Sequence, residues 1–195
     1  MTRLATHNRI GLLGLLAFLG LLILTACGGT DPGPGSSTGG GSSDTTIVSL
    51  EVPDITIETY QGEEILGGTE ITLSEIVGQG KPVVLNFWAA LCPPCRAEMP
   101  DIQKVHETRG DEVIIIGLDI GPQQLLGTRD EGKALLAELD VHYPAGTTFD
   151  DNIVRQYRIV GMPTTLFINS DGTLLRSWSG LLNEEKFNEF IDQLS

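Results

Sequence analysis

Basic side chains are scarce in this chain of 195 residues, which has 12 lysines and arginines against 26 aspartates and glutamates. The formal net charge is −14 at pH 7, and removal of a leader containing Arg3 and Arg9 leaves ten basic residues against the same 26 acids. Acidic surfaces are repelled by phosphate backbones and by anionic lipid headgroups. The composition therefore argues against nucleic acid and against anionic lipid surfaces as partners.

Metal-ligating side chains are also few. Beyond a pair of cysteines at positions 92 and 95, the sequence after the leader has only Cys27, His106 and His142 as sulfur or imidazole ligands. A structural zinc site takes four such ligands. A disulfide between cysteines three residues apart restrains the unfolded chain little, so it adds little stability. Redox chemistry is therefore favoured for the pair, and we expect no metal site.

Long apolar runs are missing except for one, from Ile10 to Leu24, which follows two arginines. Its length is typical of a signal-peptide core and is short for a membrane-spanning helix. It ends in Leu-Thr-Ala-Cys-Gly, and this ending resembles the lipobox of bacterial lipoproteins. The resemblance implies that residues 1–26 are a signal peptide, cleaved before Cys27, whose sulfur then carries diacylglycerol. The alternative is an uncleaved membrane anchor, and both place the following domain outside the cytoplasm.

The next segment has no large apolar residue: residues 28–46 read GGTDPGPGSSTGGGSSDTT. Such a composition cannot bury enough surface to offset the entropy of ordering, so we expect a flexible coil with a reach of about 25 Å. Residues 27–46 are therefore predicted to be a lipidated tether, and residues 47–195 a single domain.

The segment that begins at Pro82 reads PVVLNFWAALCPPCRAEMP, and its apolar first half predicts a short buried strand. Cys92 and Cys95 follow at the start of a predicted helix, within one turn of each other. Pro93 and Pro94 suit this first turn, where a missing N–H costs little. Because a helix N-terminus favours negative charge, Cys92 is the predicted nucleophile and Cys95 the resolving thiol.

The stretch NFWAALCPPCRAEMP resembles the active-site segment of thioredoxin-fold proteins, in particular the extracytoplasmic TlpA/ResA-like thiol–disulfide oxidoreductases. The likeness extends from about Ile47 to the C-terminus. A second segment, Val-Gly-Met-Pro-Thr-Thr from residue 160, is similar to the loop that carries a cis-proline opposite the cysteines in this family. The resemblance implies that Pro163 is cis, that Met162 presents its backbone to a substrate, and that Trp88 also contacts the substrate.

Two positions depart from the family pattern. Leu91 stands where a tryptophan usually precedes the first cysteine, and Asn86 stands where thioredoxins proper keep a buried aspartate. Because asparagine cannot exchange a proton, any internal acid or base must be another residue. Glu98 matches the glutamate of the family's CxxCxxE pattern and is implied to tune the acid–base behaviour of the cysteines. Asp119, at the end of a predicted strand, stays open as a second candidate.

The remaining pattern, together with the resemblance, predicts an α/β thioredoxin-like fold: a central mixed β-sheet flanked by helices, with an N-terminal β-hairpin and an inserted helix and strand before the cis-proline loop. The first predicted elements are a hairpin whose second strand spans Glu64 to Ile71, a short helix capped by Thr72, and a strand from Val113 to Leu118. A helix from Thr128 to Asp140 follows, with Ala134, Leu135, Leu136 and Leu139 facing inward, and then a short strand after His142. The last predicted elements are a helix capped by Asp150 or Asp151, a hairpin from Thr164 to Trp178, and a helix from Glu184 to Leu194 capped by Asn183.

The resemblance implies disulfide exchange at the cell membrane on its outer side, with no cofactor besides the Cys92–Cys95 disulfide. It implies extracytoplasmic protein disulfides such as apocytochrome c as substrates, and a membrane thiol-transfer protein as electron donor. Two alternatives stay open. One is a peroxiredoxin-like peroxide reductase, although the Pro-x-x-x-Thr-x-x-Cys setting of such enzymes is missing here. The other is a copper chaperone that binds Cu(I) through the two thiolates.

Overall fold

A computed structural model describes residues 51–195, and the structural statements below refer to these residues. The predictions for the signal peptide, Cys27 and the tether lie outside this part of the chain. The elements are β1 (Thr56–Gln61), α1 (Glu63–Leu66), β2 (Glu70–Thr72), α2 (Leu73–Val77), β3 (Val83–Trp88), α3 (Pro93–Arg109), β4 (Ile114–Asp119), α4 (Gly121–Gln124), α5 (Arg129–Glu138), β5 (Ala145–Thr147), α6 (Ile153–Gln156), β6 (Thr164–Ile168), β7 (Leu174–Ser179) and α7 (Glu184–Ile191).

One seven-stranded sheet organises these elements, in the order β2-β1-β5-β4-β3-β6-β7. Strands β3, β4 and β5 run parallel, whereas β6 is antiparallel to β3 and β1 is antiparallel to β5. The predicted mixed sheet flanked by helices is therefore confirmed, as are the inserted helix α5 and strand β5 ahead of the cis-proline loop. No helix among the described residues has the length and apolar character that crossing a bilayer would require.

Helices cover both faces of the sheet. Val84 and Trp88 of β3 pack in one core with residues of α3, α5 and α7. The alternate residues Val83, Leu85 and Phe87 pack in a second core with residues of α1, α2 and α6. Because successive side chains of a strand point to opposite faces, a strand buried on both faces is apolar without alternation. This explains the continuous apolar pattern of β3 and β4.

The strand register brings the functional segments to one edge of the sheet. Trp88, at the end of β3, pairs with Asp119 at the end of β4. Phe87 pairs with Thr164, the first residue of antiparallel β6, so the loop before β6 lies at the same edge. The loop of residues 89–92 between β3 and α3, called the cysteine loop below, therefore lies near Asp119 and the segment around Pro163. All three lie beyond the ends of the two central strands, where sites form in open α/β sheets.

The N-terminal hairpin is confirmed, because β1 and β2 pair antiparallel. The prediction that its second strand spans Glu64 to Ile71 is wrong, because most of that segment forms the one-turn helix α1 and its exit. Gly62 and Gly67 flank this turn with φ values of 86° and 103°, and at Gly62 a Cβ atom would lie 2.8 Å from the Cα of Pro144. The backbone needs glycine there, and the strand begins only after the second bend.

The observed helix N-caps and buried helix faces agree with the sequence-based predictions at some positions and differ at others. Thr72 caps α2 in a capping box with Glu75, and Asn183 caps α7, as predicted. The helix α6 has Asn152 at its N-cap instead, and Asp150 accepts a hydrogen bond from the Asn152 backbone N–H. In α5 the predicted inward residue Ala134 is exposed, since Leu135, Leu136 and Gly132 face the sheet.

Candidate active site

The two cysteines form a disulfide at the start of α3, with their Cα atoms 5.3 Å apart. Cys92 is the N-cap of the helix, and its sulfur accepts a hydrogen bond from the backbone N–H of Cys95 at 3.4 Å. Pro93 and Pro94 occupy the first two helical positions and have no N–H of their own. Cys95 therefore supplies the first free N–H of the helix, and this donor favours a thiolate on Cys92 after reduction.

The two sulfurs differ in access. The side chain of Cys92 is 6% exposed, whereas Cys95 is fully buried. The residue before Cys92, Leu91, has an apolar side chain and is 56% exposed. Of the two, Cys92 is the sulfur that a protein disulfide can reach, and its role as nucleophile stays a prediction for the experiments below.

A fully buried carboxyl group, that of Glu98, lies one helical turn beyond Cys95 on the same face of α3. Its Oε1 accepts a hydrogen bond from Asn86 Nδ2 at 2.7 Å, and its Oε2 accepts one from the Leu182 backbone N–H at 3.1 Å. Burial raises the pKa of Glu98 from 4.5 to about 7, although the two hydrogen bonds partly oppose this shift. The group is therefore able to exchange a proton near neutral pH.

The asparagine in place of the thioredoxin aspartate has a clear structural role. Asn86 is fully buried on β3, and its Nδ2 also donates to Thr165 Oγ1 at 3.0 Å. The amide thus holds the carboxyl group of Glu98 against the sheet. The sequence indicated correctly that Asn86 is no acid, but the pattern contained no sign that it orients the acid.

The loop before β6 carries a cis peptide bond between Met162 and Pro163, as the resemblance implies. The carbonyl of Pro163 accepts a hydrogen bond from the Gly180 N–H at 2.8 Å, and Thr164 Oγ1 donates to the Gly161 carbonyl at 2.6 Å. Pro163 is buried and Met162 is half-buried, so the backbone before the proline lies at the rim of the site. Substrate binding by this loop stays a prediction.

Trp88 occupies a supporting position rather than the predicted substrate-contacting one, because its side chain is fully buried. Gly117 leaves the space that the indole fills: a Cβ atom there would lie 2.8 Å from Trp88 Nε1 and 3.0 Å from Tyr143 Cε2. The tryptophan therefore supports the cysteine loop from within the core, and its contact with a substrate would require the core to open.

A second buried carboxyl group belongs to Asp119. Its Oδ1 accepts a hydrogen bond from the Gly121 N–H at 2.9 Å, and its Oδ2 accepts one from the Tyr60 hydroxyl at 3.2 Å. Burial is the main cause that raises the pKa of Asp119 from 3.8 to about 6. Burial, followed by the nearby Asp119 charge, also raises the pKa of Tyr60. The sequence left Asp119 open as a candidate and gave no sign of Tyr60, which lies 59 residues earlier.

The chain is similar in sequence to proteins of known family. The AhpC/TSA family profile matches residues 48–177, which include both cysteines, Glu98 and the cis-proline loop. The thiol-disulfide oxidoreductase ResA of Halalkalibacterium halodurans is 32% identical over 130 residues, covering 66% of this chain and 70% of the relative. ResA of Oceanobacillus iheyensis is 29% identical over 146 residues, covering 73% and 70%.

The fold is also found in a solved structure. The pneumococcal exposed lipoprotein thioredoxin Etrx1 from Streptococcus pneumoniae strain TIGR4 superimposes with a TM-score of 0.61 and 22% identity, covering 73% of this chain and all of that one. This structural likeness agrees with the thioredoxin-like fold predicted from the sequence. With a matching profile over most of the described residues and a cysteine pair placed at the start of α3, this chain belongs to the AhpC/TSA family as a ResA-like thiol–disulfide oxidoreductase.

Proposed function

We propose that this protein reduces disulfides of extracytoplasmic proteins while tethered to the cell membrane through a lipid on Cys27. The observation that supports the chemistry is the arrangement at the start of α3: Cys92 is 6% exposed, Cys95 is fully buried, and the buried carboxyl group of Glu98 lies one turn further. The tether rests on the lipobox resemblance and on the composition of residues 28–46.

The reaction follows the usual two exchange steps. The Cys92 thiolate attacks a substrate disulfide, a bond forms between the two sulfurs, and the other substrate sulfur leaves as a thiolate. The Cys95 thiolate then attacks the Cys92 sulfur, which forms the intramolecular disulfide and releases the second substrate thiolate. Two electrons pass from the protein to the substrate, and the two thiol protons of the cysteine pair end on the substrate.

Glu98 supports the second step. Cys95 is buried, and burial disfavours its ionised form, so its proton needs an acceptor within the protein. A carboxyl group with a pKa of about 7 accepts that proton near neutral pH and can release it afterwards. Glu98 therefore acts as the internal base that thioredoxins proper place at the position of Asn86.

The cis-proline loop supplies the substrate contact. Gly161 is exposed and Met162 half-buried, so their peptide groups can pair with an extended substrate segment next to Cys92. Leu91 and Val160 expose apolar side chains on the cysteine loop and on the cis-proline loop respectively. An unfolded or extended chain such as apocytochrome c suits this arrangement better than a compact folded surface. The electron donor would be a membrane thiol-transfer protein, as the family resemblance implies.

The test separates the chemistry from the tether. Insulin reduction is measured with the purified full chain and with two variants, Cys92→Ser and Cys27→Ser. We expect Cys92→Ser to lose insulin reduction while it stays in the membrane fraction, and Cys27→Ser to leave the membrane fraction while it reduces insulin normally. Full activity of Cys92→Ser would refute the assigned nucleophile, and membrane retention of Cys27→Ser would refute the lipid tether.

The reduction potential of the Cys92/Cys95 pair decides the direction of electron flow. A value near or below about −270 mV, the range of thioredoxin, would identify a reductant. A value near about −120 mV would identify an oxidant that installs disulfides, and this would refute a role in cytochrome c maturation.

Two simple assays address the alternative functions. Peroxide consumption that depends on a thiol donor and proceeds faster than insulin reduction would favour a peroxide reductase. Tight Cu(I) binding by a protein whose dithiol does not exchange with disulfides would favour a copper chaperone.

A further inference from the structure

The proposed exchange steps give no role to a second buried carboxyl group, that of Asp119. It lies at the end of β4, is fully buried, and accepts hydrogen bonds from Gly121 and Tyr60. A buried carboxylate costs free energy unless hydrogen bonds compensate it, so an arrangement of this kind needs an explanation. Glu98 already provides the proton acceptor for Cys95.

A continuous set of backbone contacts connects Asp119 with the nucleophile. Asp119 Oδ1 accepts from the N–H of Gly121, and the carbonyl of Gly121 accepts from the N–H of Leu126 at 3.0 Å. The carbonyl of Leu126 in turn accepts from the N–H of Leu91 at 3.0 Å, and Leu91 immediately precedes Cys92. The turn of residues 121–127 thus connects the buried carboxyl group with the cysteine loop through hydrogen bonds.

The turn of residues 121–127 and helix α5 are also closely packed, against the cysteine loop and against Asp119 respectively. A Cβ atom at Gly127 would lie 2.9 Å from the Cβ of Ala90, so the turn fits directly against the cysteine loop. A Cβ atom at Gly132 would lie 2.3 Å from Asp119 Oδ2, so α5 also approaches the carboxyl group without space for a side chain. A shift of the carboxyl group or of the turn is therefore transmitted to residues 90–92.

Burial raises the pKa of the Asp119 carboxyl group, whereas its two hydrogen-bond donors and Arg129 partly oppose this shift. Arg129 stabilises its charge from α5, while the Arg129 guanidinium itself pairs with Glu58. The groups around the Asp119–Tyr60 pair are Glu58 on β1, Trp88 on β3, Thr147 on β5, and Arg129 and Lys133 on α5. The Lys133 ammonium lies 5.1 Å from the Tyr60 ring centroid.

We propose that Asp119 is a positioning residue for the attack step: its carboxylate, oriented by Tyr60, holds the 121–127 turn and thereby fixes the Leu91–Cys92 loop for a substrate disulfide. This inference rests on the proposed exchange reaction and assigns a second carboxyl group to it. Glu98 serves the proton of Cys95, whereas Asp119 serves the geometry of Cys92. A hydrogen bond to an ionised acceptor is about twice as strong as a neutral one, so ionised Asp119 holds the turn more firmly than the protonated form does.

The pH dependence gives this role a measurable signature. Because the pKa of Asp119 is about 6, its carboxyl group is mostly ionised above this pH and mostly protonated below it. The attack step should therefore slow down as the pH falls through about 6. The pKa of Glu98 is about 7, and a readout that excludes the Cys95 proton separates the two groups.

The experiment measures mixed-disulfide formation with insulin in a Cys95→Ser background of the full chain, from about pH 5 to about pH 8, so that the inflection near 6 is spanned. This background retains the attack step and removes the second step. We expect Asp119→Asn, which keeps the shape and an acceptor oxygen, to slow the attack about fivefold at the upper end of the range. It should also abolish the inflection near pH 6.

A second variant keeps the test decisive if Asp119→Asn does not fold. Tyr60→Phe removes a donor to the carboxylate, so the pKa of Asp119 should rise and the inflection should move to higher pH. The matched control is Asp111→Asn, which removes an exposed carboxylate just before the other end of β4 and should leave rate and profile unchanged.

The outcomes distinguish this inference from the proposed function. An unchanged rate and inflection in Asp119→Asn, or an unmoved inflection in Tyr60→Phe, would overturn the positioning role. If the Cys95→Ser protein with native Asp119 forms no mixed disulfide at any pH, the exchange reaction itself fails instead.

Discussion

Replacing Glu98 with glutamine should remove a large part of the loss of stability that the native protein shows as pH rises. Burial raises the pKa of Glu98 from 4.5 to about 7 in the folded protein. Between these two values the folded state holds the proton and the unfolded state has released it, so the free energy of unfolding decreases as pH rises. Above pH 7 the full penalty of about 3 kcal/mol is present, since one pKa unit corresponds to about 1.4 kcal/mol.

The glutamine has its own cost, and this cost does not depend on pH. Glu98 accepts hydrogen bonds with both oxygens, from Asn86 and from the backbone of Leu182, and glutamine has a single acceptor oxygen. One buried donor therefore loses its partner, which costs about 1–3 kcal/mol. The difference in stability between Glu98→Gln and the native protein should thus shift by about 3 kcal/mol in favour of the variant from pH 4 to pH 8.

Denaturant unfolding of the oxidised proteins at the two pH values measures this shift. Asp119 also titrates in the range, but it is present in both proteins and cancels in the comparison. The control is Glu107→Gln, which changes an exposed glutamate on the same helix and should show no such shift. Parallel pH dependences of the native protein and Glu98→Gln would refute the argument, because Glu98 would then ionise as if it were in water.

Three further predictions concern neighbouring groups. Gly117→Ala places a Cβ atom 2.8 Å from Trp88 Nε1 and should destabilise the protein by about 1–3 kcal/mol in denaturant unfolding. Asn86→Asp puts a second carboxyl group next to Glu98 and should move the pH profile of insulin reduction upward, because two adjacent carboxyl groups cannot both ionise easily; an unchanged profile would contradict the contact. Cys95→Ser should accumulate a mixed disulfide with substrate on non-reducing gels, and its absence would contradict the resolving role of Cys95.

Local signals in the sequence determined much of this protein. The apolar run, the two cysteines one turn apart and the two prolines between them predict a strand followed by a helix with a reactive N-terminus, and the structure confirms these elements as β3 and α3. The capping pattern of Thr72 and Glu75 predicts the start of α2, because its hydrogen bonds connect residues three positions apart. The resemblance added the cis-proline loop and Glu98, neither of which follows from periodicity.

Only the tertiary structure decided how the site is supported. Leu182 donates to Glu98 across 84 residues, and Tyr60 donates to Asp119 across 59, so both contacts depend on sheet order and register. The burial of Trp88 likewise depends on the space that Gly117 leaves on the neighbouring strand. Short-range patterns describe how one segment folds, whereas a buried carboxyl group takes its hydrogen bonds and its pKa from segments that meet only when the whole sheet has formed.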